Sequence, residues 1–97
     1  EYAKSQGYSV VREYGGHGCG FEFHEDPFVS FVSEPGEGMV LVPGMTFTIE
    51  PMVNAGAPDI DSSDPSGWTV RTADGSDTAQ WEVQVLITET GYELLSW

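Results

Sequence analysis

Basic side chains are nearly absent from this sequence. Lys4, Arg12 and Arg71 stand against 16 acidic residues in 97, giving a formal net charge of −13 and a sequence pI near 4.1. Surfaces that grip nucleic acid or anionic lipid do so by releasing counterions through clustered Lys and Arg. Neither partner is expected, and cations are favoured instead. Cysteine occurs once, at Cys19, which excludes an internal disulfide framework and points to a reducing compartment, the cytoplasm. No apolar run approaches the roughly 18 residues that a membrane-spanning helix needs, so no membrane association is expected. An initiator Met and a signal-peptide pattern are also missing, so the chain reads as a piece of something longer. What is present is apolar material: 39% hydrophobic and 12% aromatic residues, including three Trp, four Tyr and five Phe. That is more than disordered acidic chains carry, and enough for one modest core across residues 1–97 but not for two independent domains.

Gly7 follows a polar stretch from Glu1 to Gln6 and marks the close of a short helix. Tyr8, Val10, Val11 and Tyr14 then form a β-like run that breaks on Gly15-Gly16-His17-Gly18-Cys19-Gly20. Ser33 to Gly38 is rich in turn residues, and no helix is expected between Gly36 and Pro43. Beyond the Pro43-Gly44 turn, Met45 to Glu50 alternates with period two, setting Thr46, Thr48 and Glu50 on one face and Phe47 and Ile49 on the other. Asn54 to Gly67 reads as a loop, Trp68 to Thr72 as a strand, and Asp74-Gly75 as a hairpin turn. Ala79 to Thr88 carries the longest strand signal, with Trp81, Val83, Val85 and Ile87 on one face and Gln80, Glu82 and Gln84 on the other. With so little helix to cover it, one apolar sheet face is expected to be poorly shielded, including some of Val83, Val85 and Ile87.

By residue type, four side chains could ligate a borderline or hard divalent cation: His17, His24, Glu50 and Glu82. The glycines around His17 permit close approach, but they also suit a tight turn with solvated histidines. Glu50 ends a strand before Pro51, and Glu82 interrupts an apolar strand beside Trp81; an isolated strand Glu is otherwise a solvent-facing residue. Other templates fail. His24-Glu25 begins a zincin motif, but Phe28 occupies the position of the second His. Asp59, Asp61 and Ser63 begin like an EF-hand loop, but Asp64 and Val70 replace its Gly and Glu. Cys19 has no identifiable group orienting a base and is expected to be a small buried residue.

Five strings in fixed order carry a resemblance across nearly the whole chain. They are Tyr8 to Gly20 around Gly-Gly-His17-Gly, Phe23-His24-Glu25-Asp26-Pro27, Val42 to Asn54 around Thr48-Ile49-Glu50-Pro51, Gly67-Trp68-Thr69-Val70, and Ala79-Gln80-Trp81-Glu82. Together they closely resemble type I methionine aminopeptidases. The resemblance implies an α/β (α+β) chain forming the C-terminal half of a pita-bread fold, with a strongly bent, mostly antiparallel sheet, so that residues 1–97 are a partial catalytic domain. It implies two divalent metal ions (Co, Mn, Fe or Zn). His17 and Glu50 would ligate one ion and Glu82 would bridge both. Glu50 would also serve as general base, His24 would bind substrate at the scissile peptide, and Phe23 and Trp68 would line the methionine pocket. The implied reaction is removal of the initiator methionine from the N-terminus of a nascent polypeptide, at the ribosome.

Departures from the family pattern are informative. The two Asp ligands and an upstream histidine of the family lie in the N-terminal half, which this chain lacks and would need. Glu50 and Glu82 cannot neutralise the four charges of two dications, so the chain alone is expected to bind metal weakly and to be inactive. Val83 stands where the family usually has His, and Cys19 where a branched aliphatic is common. Two other readings remain at this level: a pita-bread peptidase of the Xaa-Pro or creatinase type, and a non-catalytic binding module of the same fold.

Overall fold

A computed structural model describes all 97 residues, Glu1–Trp97. Helix α1 (Tyr2–Ser5) is a single turn closed at Gly7, whose φ of +84° places it in the left-handed region. The Gly7 amide bonds Lys4 O and the Tyr8 amide bonds Ala3 O, the paired pattern of a Schellman cap. Ten short strands follow: β1 (Ser9–Val10), β2 (Gly16–Gly18), β3 (Glu25–Val29), β4 (Thr46–Ile49), β5 (Met52–Asn54), β6 (Ile60–Asp61), β7 (Arg71–Thr72), β8 (Thr78–Gln80), β9 (Val83–Ile87) and β10 (Tyr92–Ser96). They form a five-stranded sheet in the order β10-β9-β4-β2-β3, a three-stranded sheet β1-β5-β8, and the ribbon β6-β7. Every pairing is antiparallel.

The two larger sheets are joined by a ribbon that passes from one into the other. β4 pairs β9 with Ile49 opposite Val83, and β5 pairs β8 with Met52 opposite Gln80. The same register continues through the gap, so Glu50 falls opposite Glu82 and Pro51 opposite Trp81. Glu82 is therefore not in mid-strand, as the alternation of Ala79–Thr88 implies. Pro51 has no N–H to donate, and the ladder lapses where it would be needed. The predicted strand from Trp68 shrinks to Arg71–Thr72. The Asp74-Gly75 turn is present, with Gly75 at φ +75°, but β7 pairs β6 while β8 pairs β5, so the turn links two sheets and is not a hairpin.

The core is thin. Val11, Phe47 and Val85 are its buried apolar residues, and Phe47 and Val85 are direct cross-strand partners. Val83 and Ile87 are only half-buried, while Phe21, Tyr92 and Trp97 are largely exposed, as expected for a sheet whose apolar surface lacks a covering layer. No helix occurs between Gly36 and Pro43.

Candidate metal centre

His17 lies at the centre of β2, a strand held close to both of its neighbours. A Cβ at Gly16 would overlap the Thr48 carbonyl of β4, and a Cβ at Gly18 would overlap the Asp26 carbonyl of β3. Glycine at both flanks is thus what allows β2 between its neighbours. On the β3 side His17 is paired with Phe28, and the register slips only after it, where Asp26 and Pro27 of β3 bulge out before Gly18 meets Glu25. On the β4 side, side-chain hydroxyls replace backbone partners. The His17 amide donates to Thr48 Oγ1 at 3.0 Å, and Thr46 Oγ1 donates to Cys19 O at 2.6 Å. Cys19 itself is half-buried rather than buried.

These constraints turn the imidazole toward the sheet crossing. His17 Nδ1 lies 3.0 Å from Gly18 O, a pure acceptor, and Nε2 faces the two glutamates; with the proton on Nδ1, Nε2 would offer its lone pair to a cation. Nε2 is 3.5 Å from Glu50 Oε2 and 4.0 Å from Glu82 Oε1. One donor atom from each of the three residues lies within 4.8 Å of the others. Two donors each about 2.1 Å from one ion can be at most about 4.2 Å apart, so a small swing of the half-exposed Glu82 side chain closes the set. Glu50 Oε2 is buried without any hydrogen-bond partner. A buried carboxylate oxygen without a donor is costly, and a cation between His17, Glu50 and Glu82 would satisfy it. The donor set of one imidazole and two carboxylates fits a divalent ion. Loss of hydration, and then the facing Glu50 carboxylate, raise the pKa of Glu82, against the opposing pull of His17 and His24. Two carboxylates held this close, in a site that water reaches poorly, favour the protonated form of one of them.

His24 packs edge-on against the His17 ring at 4.5 Å between centroids, and Phe23 packs edge-on against His24 at 4.3 Å. Phe23 also stacks near-parallel to His17 at 6.2 Å and leaves 82% of its surface open to solvent. Four of the expected residues thus surround His17: Glu50, Glu82, His24 and Phe23. Trp68 stands apart, 89% exposed, at a cavity of about 290 Å³ that it shares with Met52 and Gln80, residues two positions from Glu50 and Glu82. Sequence reading missed Thr48, which is 3% exposed and holds the His17 backbone, and Gln80, whose amide donates to Glu50 O at 3.4 Å. The polar face Thr46/Thr48/Glu50 was the available signal for Thr48.

Residues 1–89 match the family described as metallopeptidase family M24. The chain belongs to that family. Its membership implies use of a divalent metal. The chain is 52% identical over 96 residues to the methionine aminopeptidase of Salmonella typhimurium and 49% identical to that of Escherichia coli K12, covering 99% of this chain and 36% of each relative. It therefore spans about a third of the length of the curated relatives it matches. Among solved structures, methionine aminopeptidase from Rickettsia prowazekii superposes with a TM-score of 0.92 at 46% identity, covering 96% of this chain and 38% of that one. The enzyme from Thermotoga maritima gives 0.90 at 47% identity, covering 96% and 37%. Over its length this M24 chain has the pita-bread fold of those methionine aminopeptidases.

Proposed function

We propose that the chain carries the His/Glu/Glu part of the dinuclear centre of a methionine aminopeptidase, which removes the initiator methionine from nascent polypeptides in the cytoplasm, at the ribosome. The observation that carries the reading is the convergence of His17, Glu50 and Glu82 on the orphaned Glu50 Oε2. His17 and Glu50 would hold one divalent ion (Co, Mn, Fe or Zn), and Glu82, opposite Glu50 across the ribbon, would bridge to a second. Such ions supply Lewis-acid polarisation of the scissile carbonyl and charge for the substrate amine. Glu50 would accept a proton from the attacking water, and His24, beside His17 and solvent-facing, would donate a hydrogen bond to the reacting peptide. Phe23 offers an exposed ring next to that position, and Trp68 with Met52 lines a recess of about 290 Å³ that would receive the methionine side chain. Two carboxylates leave two dications half-neutralised, so the remaining ligands come from the part of the relatives outside the matched span.

Two substitutions in the natural protein at its full length separate the roles. Glu50→Ala removes a ligand and a base together, and is expected to lower metal content and abolish release of methionine from a Met-Ala-Ser peptide. His24→Ala is expected to keep metal content and to lower kcat by about 10²–10⁴, the range of a lost proton-transfer or hydrogen-bonding group. Elemental analysis alongside the peptide assay reads both. Loss of metal in the His24 variant, or an active Glu50 variant, would overturn the assignment.

A further inference from the structure

We propose that Thr48 is the positioning residue of His17, its hydroxyl acting as a surrogate backbone acceptor that fixes the imidazole before any metal arrives. This rests on the reading of His17, Glu50 and Glu82 as a metal site and adds to it the device that pre-organises the only nitrogen ligand. Four observations carry it. β2 and β4 share a single paired position, Gly18 with Phe47, so the ladder does not hold His17. The His17 amide instead donates to Thr48 Oγ1 at 3.0 Å. On the β3 side His17 is paired with Phe28 and the register slips only beyond it, so the flank that lacks ladder support is the one facing β4. Thr48 is 3% exposed, so water does not replace its hydroxyl, and the space at Gly16 is filled by the Thr48 carbonyl and hydroxyl together. Thr48 also lies two residues before Glu50 on the same strand. One short segment thus supplies a ligand and anchors the backbone of the other.

The chemistry separates this role from simple packing. Thr48→Val keeps the shape and removes the acceptor, stranding the His17 N–H in a dry site. Thr48→Ser keeps the acceptor and removes a methyl group. The experiment uses the natural protein at its full length and has two readouts. Without metal, the His17 ring carbons and protons are recorded by NMR, where contact with Phe23 and His24 gives ring-current shifts, together with hydrogen exchange of the His17 amide. With metal, Co²⁺ is titrated alone. The expected results are a protected His17 amide in the unsubstituted protein, ring signals that collapse toward unstructured values in Thr48→Val and persist in Thr48→Ser, and Co²⁺ affinity reduced about 10- to 100-fold in the Val variant, the scale of lost support to a metal ligand. The Ser variant should stay within about threefold by the same reasoning. Unchanged ring signals in Thr48→Val, equal losses in the Ser and Val variants, or rapid exchange of the His17 amide in the unsubstituted protein would overturn the proposal. The last measurement needs no variant to fold. Failure of the metal reading is distinguishable: the unsubstituted protein would then bind no Co²⁺ while its His17 ring still depended on the Thr48 hydroxyl.

Discussion

Asp74 touches none of the metal-site residues, yet its carboxylate ties two loops together. Oδ2 accepts from the Ala57 amide at 2.8 Å, and Oδ1 accepts from the Ser76 amide at 3.0 Å. Hydrogen bonds from Ser76, and from Ala57, hold its pKa down at about 2 against an ordinary value of 3.8. A carboxyl whose pKa is lower in the folded state adds stability above its unfolded value and loses it as the folded value is approached. The contribution of Asp74 is therefore complete above about pH 5, mostly lost by about pH 2 and gone near pH 1. Asp74→Asn is expected to be less stable than the unsubstituted protein at pH 6 and close to it at pH 2, as read by urea denaturation at the two pH values. A difference that persists undiminished at pH 2 would show that the carboxylate charge is not what joins the loops.

At the scale of elements, the site depends on how tightly β2 is held between β3 and β4. Gly16→Ala introduces a methyl group against the Thr48 backbone carbonyl, which cannot rotate away as a side chain could. Separating β2 from β4 is expected to cost about 1–3 kcal/mol, the usual range for forced overpacking, and to break the bond from the His17 amide to Thr48. Thermal unfolding checks the first effect, and the His17 amide resonance the second; a variant with native melting and a native amide shift would contradict this account. Much of this architecture was legible in the sequence. The Gly7 stop, the period-two segment before Glu50 and the turn chemistry at Pro43-Gly44 and Asp74-Gly75 are local signals, and each has its counterpart in the structure. The break at Trp81-Glu82 was not legible, because the alternation Trp81, Val83, Val85, Ile87 runs through it without interruption. Only the partner strand, with Pro51 opposite Trp81, reveals that the ladder lapses there. The same limit applies to Thr48, whose polar face was visible but whose contact spans 31 residues of chain.

For the molecule as a whole, charge and packing pull in opposite directions. A net charge of −13 is spread over a body with a radius of gyration of 14.7 Å, while the buried apolar side chains are only Val11, Phe47 and Val85. The few cations do little to offset it: Arg12 reaches Asp59 at 3.2 Å as an exposed pair, and the exposed Arg71 reaches the half-buried Asp64 only at 3.9 Å, pairs of the kind that contribute little. Repulsion among the remaining carboxylates acts over the Debye length, about 10 Å at 0.1 M salt and about 3 Å at 1 M. Raising salt should therefore remove most of the repulsion without affecting the buried contacts. The expected outcome is a rise in Tm of about 5 °C or more between 0.1 and 1 M NaCl, equivalent to about 1 kcal/mol for a chain of this size. Chloride and sodium do not strengthen hydrophobic burial as strongly excluded salts such as sulfate do, so the sodium chloride series isolates screening. A Tm that falls or stays flat across that series would mean that the acidic groups are already neutralised by structure, and that their excess does not govern the stability of the fold.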